Sequence, residues 1–214
     1  MSALTDLNKE IALCRLCEIA KTRTKVVPGE GAENAEIMFI GEAPGWNEDQ
    51  QGRPFIGAAG QFLDELLASI KLKRADVYIA NVIKCRPPEN RDPLPAEIEA
   101  YKPYLTRQIA VIDPKLIVTL GRFSMNYFLP FAKITHDHGR PLSIDGRTIF
   151  PVYHPAAALR STQMMETLRG DFKKIPGVLS GEFGAVELPP AFEIPAARKL
   201  KKASPEKPKQ TGLF

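Results

Sequence analysis

Four short apolar runs, each followed closely by glycine or polar residues, constrain the fold of this chain more than any other feature. The runs cover residues 37–40, 77–83, 116–120 and 148–152. Runs of this length, bounded by turn-forming residues, are typical of strands buried on both faces. Helical patterns separate them along the chain. The alternation predicts an α/β fold, a three-layer α/β/α sandwich around a mainly parallel central sheet.

The intervening segments show the spacing of apolar residues that is expected of amphipathic helices. The predicted helices cover residues 4–20, 58–70, 95–112, 123–128 and 162–174. Pro95 suits the first turn of the third helix, where a missing N–H costs nothing. The segment before it, residues 85–94 (CRPPENRDPL, hereafter the proline loop), contains too many prolines to form regular structure.

The chemically informative residues follow the predicted strands. They are GEAPGWNED at residues 41–49, Asn81, the turn at Gly121, and YHP at residues 153–155, with Phe55 close behind the first. In an open parallel sheet, ligands bind beyond the carboxyl ends of the strands. The sequence therefore predicts one pocket that holds carboxylates, an amide, an imidazole and an aromatic ring. Such a set suits the recognition and cleavage of a planar, polar group.

Composition narrows the class of protein. The chain of 214 residues is 44% apolar and 25% charged, and its formal net charge is +4, a mild bias toward polyanions. It has no apolar stretch long enough to span a membrane, and MSALTDLNKE does not look like a secretory signal, so we expect a cytoplasmic protein. Three cysteines in such a chain favour thiols or metal ligands over disulfides.

The last part of the chain differs in character. We predict one domain over residues 1–179 and a basic, proline-punctuated, flexible tail over residues 180–214. The tail ends in QTGLF, with two apolar residues at the terminus.

Three segments carry a resemblance to a known family. They are GEAPGWNEDQQGRPFIGAAG, IANVIKCRPPENRDP and YHPAAALR, in that order and at fitting spacing. Over residues 4–174 the chain resembles the family 4 uracil-DNA glycosylases, the iron–sulfur branch of their superfamily. The resemblance implies an α/β/α sandwich and a DNA repair enzyme that excises uracil and leaves an abasic site.

The resemblance also implies roles for the residues at the strand ends. A glycosylase must take its base out of the helical stack, and Phe55 resembles the family's stacking residue. Asn81 resembles the residue that reads uracil, because one carboxamide can donate to O4 and accept from N3–H. His154 resembles the residue that stabilises the departing uracil anion near O2.

Further candidates lie in the first segment. Glu42 and Glu48 are candidate carboxylates for stabilising the cationic sugar or positioning water. Backbone N–H groups around Gly41 and Ala43 are candidates for binding the base.

The cofactor implied by the resemblance is a [4Fe–4S] cluster on four cysteines, and here the chain departs from the family. Cys14, Cys17 and Cys85 fall where three ligands are expected, but the fourth position is Tyr101. Two interpretations stay open. An iron–sulfur cluster persists with three thiolates and an unusual fourth ligand, such as the Tyr101 oxygen, or as a three-iron form. Alternatively, the cysteines are simply buried thiols.

Contacts with DNA are expected at two places. Near Ala158, family members usually carry a bulkier residue that enters the duplex and fills the place of the flipped base, so we expect Leu159 or Arg160 to do this here. If the inserted side chain fills that place poorly, the enzyme favours uracil in single strands or U·G mismatches, where flipping costs less. Around the predicted cluster, Lys84, Arg86 and Arg91 are candidate phosphate contacts.

Partners and alternatives complete the prediction. QTGLF resembles the pentapeptide by which bacterial repair proteins bind the sliding clamp, with Gln210 at the pocket rim and Leu213 and Phe214 as anchors. A frayed terminus is the alternative.

We expect a monomer that turns over on DNA rather than crosslinking to it. A glycosylase with broader base choice, such as hypoxanthine or xanthine, and a non-catalytic DNA-binding relative are the competing functions.

Overall fold

A computed structural model describes residues 2–15, 17–144 and 146–188. Its strands are β1 (Glu30–Gly31), β2 (Ile37–Gly41), β3 (Tyr78–Asn81), β4 (Leu116–Leu120), β5 (Leu142–Ile144), β6 (Arg147–Val152) and β7 (Val186–Glu187). They form one sheet in the order β1-β3-β2-β4-β6-β5-β7. The central strands β3, β2, β4 and β6 are parallel to one another, whereas β1 runs antiparallel to β3 and β5 runs antiparallel to β6. The predicted mainly parallel sheet is confirmed.

Helices cover both faces of this sheet. They are α1 (Ala3–Ala12), α2 (Trp46–Gln51), α3 (Ala58–Ser69), α4 (Pro95–Ile112), α5 (Arg122–Phe128), α6 (Ile134–Asp137), α7 (Pro155–Ala158) and α8 (Thr162–Ser180). Along β2, Met38 and Ile40 pack into the core that includes α1, α4 and α5. Ile37 and Phe39 point the other way, into the core that includes α3, α7 and α8. This alternation produces the predicted three layers.

The first predicted helix, over residues 4–20, is too long. Helix α1 ends at Ala12. Leu13 fits the apolar spacing of the predicted helix, but it is 80% exposed. The buried stripe is only Leu4, Leu7 and Ile11. After Ala12 the chain turns, and a short 3₁₀ helix follows at Glu18–Lys21. The turn lets Cys14 and Cys17 approach α4, which a continuous helix would not allow.

The last helix and the start of the tail also differ from the prediction. Helix α8 continues past residue 174 to Ser180, because Ile175 and Val178 are buried, and it ends at Gly181 with a positive φ of 81°. Val186 and Glu187 then pair with β5 at the edge of the sheet. Residues 180–188 are therefore part of the fold and not of the predicted tail.

The described residues contain no helix with the length and apolar character needed to cross a bilayer.

Candidate active site

One cavity of about 690 Å³ lies beyond the carboxyl ends of the central parallel strands. The four predicted strand-end segments line it, through residues that include Glu42, Asn81, Gly121 and His154. The sequence-based prediction of a single pocket at this edge is therefore confirmed by the geometry. Residues that sequence reasoning missed also line it, namely Pro87, Asn90, Asp92, Arg122 and Phe123. They come from the proline loop and from the start of α5, whose positions depend on tertiary packing.

Asn81 presents a buried acceptor at the base of the cavity. The residue is 1% exposed, and its Oδ1 has no hydrogen-bond partner among the described residues. Gly41 lies opposite Asn81 on the neighbouring strand. A Cβ at position 41 would lie 2.5 Å from Asn81 Oδ1 and 2.6 Å from Phe55 Cζ. Glycine is required there, because it leaves room for the amide and the ring side by side. An unpaired buried acceptor is costly, which indicates that a ligand donor completes it.

The Phe55 ring forms a wall next to Asn81. Its backbone has a positive φ of 50°, a conformation that is uncommon outside glycine and asparagine. Arg74 Nη1 donates to the Phe55 carbonyl oxygen at 3.0 Å and holds that backbone in place. Gly60 lets α3 pass directly beneath, since a Cβ there would lie 1.9 Å from the same oxygen. The surrounding structure thus fixes a strained residue, which is common at functional sites.

His154 follows β6 and faces Phe55, with their ring centroids 5.7 Å apart. The Ala156 backbone N–H donates to His154 Nδ1 at 3.1 Å, so Nδ1 is the unprotonated nitrogen. The neutral ring therefore carries its proton on Nε2. Burial lowers the pKa of His154 to about 4. At neutral pH this side chain is an uncharged N–H donor on the cavity wall.

The two candidate glutamates have different surroundings. Glu48 Oε1 accepts the Ile56 and Gly57 N–H groups at 2.9 and 3.0 Å, and Oε2 accepts Gly45 N–H at 3.1 Å. These bonds anchor both carboxylate oxygens of Glu48 to the loop backbone. Glu48 also lines the cavity, so its predicted catalytic role stays a prediction.

Glu42 is the carboxylate with the perturbed acidity. Burial, and then the nearby negative charge of Asp92, raise the pKa of Glu42 to about 7, while Arg122 opposes the shift. The side chain is half-buried on the cavity wall. A carboxyl group that titrates near neutrality is suited to accept a proton or to face a developing cation.

Lys84 does not contact solvent, contrary to its prediction as a phosphate contact. Its side chain is fully buried, and Nζ donates to the Asn81 carbonyl at 2.8 Å and to Gln108 Oε1 at 2.6 Å. Gln108 in turn donates to Tyr78 Oη at 3.2 Å. Burial lowers the pKa of Lys84 to about 7. This network supports the backbone of Asn81 from below, a role that no sequence pattern revealed.

The remaining residues predicted to contact DNA lie at or near the rim of the cavity, and Arg91 and Arg160 line it. Leu159 beside Arg160 is 43% exposed, whereas Ala158 is buried in the core. Arg91 makes two parallel hydrogen bonds to Glu97, at 2.9 and 2.6 Å, and Arg86 donates to Asn90 at 2.7 Å. Both arginines therefore brace the proline loop.

The predicted metal ligands lie on the far side of the sheet, in the core that packs α1 and α4. Cys17 Sγ and Tyr101 Oη are 3.4 Å apart, and Arg23 Nη1 donates to Cys85 Sγ at 3.0 Å. Burial raises the pKa of Tyr101 and of Cys85 above their usual values. Among the described residues, no three Cys, His, Asp or Glu side chains are grouped so as to hold a metal ion. With a phenol hydroxyl and a guanidinium hydrogen-bonded to its sulfurs, this donor set does not fit a cluster held by four thiolates.

The sequence is similar to known proteins over most of the chain. The family described as "Uracil DNA glycosylase superfamily" matches residues 28–175. The type-4 uracil-DNA glycosylase of Archaeoglobus fulgidus is 49% identical over 191 residues, which cover 85% of this chain and 96% of that protein. The type-4 enzyme of Thermotoga maritima is 39% identical over 82% of this chain and 94% of its own length. The type-5 uracil-DNA glycosylase of Pyrobaculum aerophilum is 30% identical over 61% of this chain.

Proposed function

Because the chain belongs to the uracil DNA glycosylase superfamily and is a uracil-excising DNA repair glycosylase, we propose that Asn81, Phe55, His154 and Glu42 carry its reaction. Water breaks the N-glycosidic bond of uracil in DNA, and an abasic site remains. We further propose that the enzyme acts as a monomer.

Recognition rests on the buried, unpaired Oδ1 of Asn81 beside the Phe55 ring. Uracil N3–H supplies the missing donor, and Asn81 Nδ2 donates to uracil O4, while the base stacks on Phe55. Cytosine presents an acceptor at N3 and a donor at N4, so both contacts would be mismatched. Each mismatch leaves a buried polar group unpaired, at a cost of about 1–3 kcal/mol.

Cleavage uses two titratable groups of the cavity wall, His154 and Glu42. As the bond from the sugar C1′ to uracil N1 breaks, its electron pair leaves with uracil and the sugar becomes an oxocarbenium ion. The neutral His154 donates its Nε2–H to uracil O2 and stabilises the charge that develops there. Ionised Glu42 stabilises the cationic sugar and takes the proton of the water that attacks C1′.

A cleavage assay tests this function and its main alternative. Hypoxanthine offers the same acceptor and donor pair at O6 and N1–H, so Asn81 alone does not exclude a broader base choice. Oligonucleotides with one deoxyuridine, deoxyinosine or deoxycytidine are incubated with the protein and heated in alkali. Strand cleavage at deoxyuridine alone supports a uracil enzyme, and comparable cleavage at deoxyinosine supports the broader one. Cleavage at neither base supports the non-catalytic relative.

The acidity of Glu42 predicts the pH dependence of the chemical step. With a pKa of about 7, only about a tenth of Glu42 is ionised at one pH unit below that value. We expect single-turnover rates to rise with pH through an inflection near 7 and to level off about one unit above it. Glu42→Gln is expected to lower the rate and remove this rise.

A second variant checks the cause of that profile. Because Asp92 raises the pKa of Glu42, Asp92→Asn is expected to move the inflection to lower pH while the plateau stays similar. A Glu42→Gln enzyme with the wild-type pH profile would show that another group controls the rate.

Leu159 is proposed as the wedge that enters the duplex, since it is exposed beside the cavity while Ala158 is not. Leu159→Ala is expected to slow uracil excision from a U·A duplex about tenfold, while excision from a single strand, where no stacked base must be displaced, stays near wild type. Leu13→Ala removes a leucine that is also exposed but does not line the cavity, and it serves as the control. Equal losses on both substrates would assign Leu159 to the chemistry or to folding instead.

The terminal QTGLF motif remains a proposal, because Gln210, Leu213 and Phe214 lie outside the described residues. We expect deletion of residues 210–214 to abolish binding to the sliding clamp of the same species, with excision from short oligonucleotides unchanged. A titration of a peptide of residues 198–214 against that clamp, with a Leu213→Ala, Phe214→Ala peptide as control, measures the contact. Equal binding of the two peptides would rule the motif out.

A further inference from the structure

The residues predicted to hold a metal instead satisfy one another. Cys17 Sγ donates to Tyr101 Oη at 3.4 Å, and the Tyr101 hydroxyl also interacts with the Cys85 thiol. Arg23 Nη1 donates to Cys85 Sγ at 3.0 Å. A continuous series of contacts therefore runs from Cys17 through Tyr101 and Cys85 to Arg23. Cys14, Cys17, Cys85 and Tyr101 are called the thiol–phenol cluster below.

Tyrosine side chains of α4 fill the space between these sulfurs. Tyr101 is fully buried, and so is Cys85. Tyr104, one helical turn farther along α4, packs near Tyr101 with their ring centroids 6.5 Å apart and interacts with Cys14. A cysteine side chain at position 101 would end one atom beyond Cβ and leave a void beside the Cys17 and Cys85 thiols. The phenol ring extends well beyond that point and occupies the void.

The chemistry of the donor atoms, like the packing, disfavours an iron–sulfur cluster at this place. Iron–sulfur clusters are held by soft thiolate ligands, four of them in a [4Fe–4S] site. Here Tyr101 offers a hard oxygen, and the Cys85 sulfur is already engaged by a guanidinium. Within the part of the chain that the structure describes, the three sulfurs are not gathered around one metal position.

We propose that this enzyme folds without an iron–sulfur cluster, and that the thiol–phenol cluster replaces it structurally. The replacement connects the segments that carry its members: the turn after α1, the start of the proline loop at Cys85, and α4. Because the proline loop also supplies Pro87, Asn90 and Asp92 to the active-site rim, the thiol–phenol cluster stabilises the active site from a distance.

The metal content of anaerobically purified full-length protein tests the proposal directly. After expression with iron and cysteine supplied, we expect under a tenth of an iron atom and of an acid-labile sulfide per chain, and no broad visible absorbance. Thermal unfolding is expected to be unchanged by an iron chelator. Near-stoichiometric iron and sulfide in the wild type, lost on Cys85→Ser, would overturn the proposal.

Two variants distinguish a site that the Tyr101 ring occupies from a site that could bind a cluster but was purified without one. Tyr101→Cys removes the ring and supplies the fourth thiolate, so reconstitution with iron and sulfide is expected to load about four iron atoms per chain. Ala100→Cys adds a thiol on the adjacent helix position and is expected to load none. If Tyr101→Cys binds no more iron than Ala100→Cys, Tyr101 is not what keeps the metal out.

Tyr101→Phe keeps the ring and removes the hydroxyl. Under the proposal it lowers the melting temperature by several degrees, because the thiols of Cys17 and Cys85 lose their shared partner, and iron stays absent. If the wild type contains iron that Tyr101→Phe loses, the tyrosine is a metal ligand and the proposal fails.

Discussion

Replacing Asn81 with aspartate is expected to lower uracil excision by a hundredfold or more. A carboxylate cannot donate to uracil O4, and it brings a negative charge next to that oxygen. Losing one buried hydrogen bond costs about 1–3 kcal/mol, and the charge repulsion adds to this. A protonated aspartate can donate to cytosine N3 and accept from its N4 amino group, so weak cytosine excision is expected to appear, more strongly at low pH. Single-turnover assays on matched deoxyuridine and deoxycytidine oligonucleotides measure both effects.

Asn90 provides the matched control for this substitution. It lines the same cavity but lies exposed on the proline loop, where its Oδ1 accepts a bond from Arg86 at 2.7 Å. Asn90→Asp changes the same atom in the same way and is expected to leave base choice unaltered. Unchanged uracil excision by a folded Asn81→Asp enzyme would refute the assignment of Asn81 as the reader.

Replacing His154 with alanine is expected to slow the chemical step about a hundredfold or more, while uracil-DNA binding stays largely intact. The side chain supplies one neutral N–H donor to the charge that develops on O2, and loss of one such donor typically costs that much. Because burial holds the His154 pKa at about 4, the wild-type rate is expected not to depend on His154 protonation between pH 5 and 9. Single-turnover rates and equilibrium binding to an uncleavable substrate analogue separate the two steps.

His136 is the control for this variant, because it is exposed and does not line the cavity. His136→Ala is expected to behave like wild type in both assays. A His154→Ala enzyme that retains the wild-type single-turnover rate would make His154 a helix-capping residue only, through its bond from Ala156.

The sequence predicted the central strands well and their surroundings less well. The run at residues 37–40 is apolar throughout and the run at residues 116–120 nearly so, which is typical of strands covered on both faces. By contrast, β5 and β7 are short edge strands whose pairing depends on neighbours far along the chain. Helix α1 was overextended because Leu13 matched the apolar spacing, although it faces solvent.

The active-site residues that the sequence predicted are those that directly follow a predicted strand. Asn81, His154 and Gly41 come together because parallel strands end at one edge of the sheet. The different surroundings of Glu42 and Glu48 were not predictable, since they depend on which backbone N–H groups reach each carboxylate. The support of Asn81 by Lys84 was also missed, because a lysine beside a basic, proline-rich loop is expected at the surface, and only packing revealed that it is buried.

The contact between Asn81 and the N3–H of uracil is the central claim, and a substrate analogue tests it most directly. N3-methyldeoxyuridine keeps both carbonyl oxygens of the base but has a methyl group in place of the N3–H donor. We predict that the wild-type enzyme excises it at least tenfold more slowly, relative to uracil, than Asn81→Ala does, because only the wild type loses a partner for Oδ1. Any difference in leaving-group acidity affects both enzymes and cancels in the comparison. The same ratio of rates for wild type and Asn81→Ala would contradict the account.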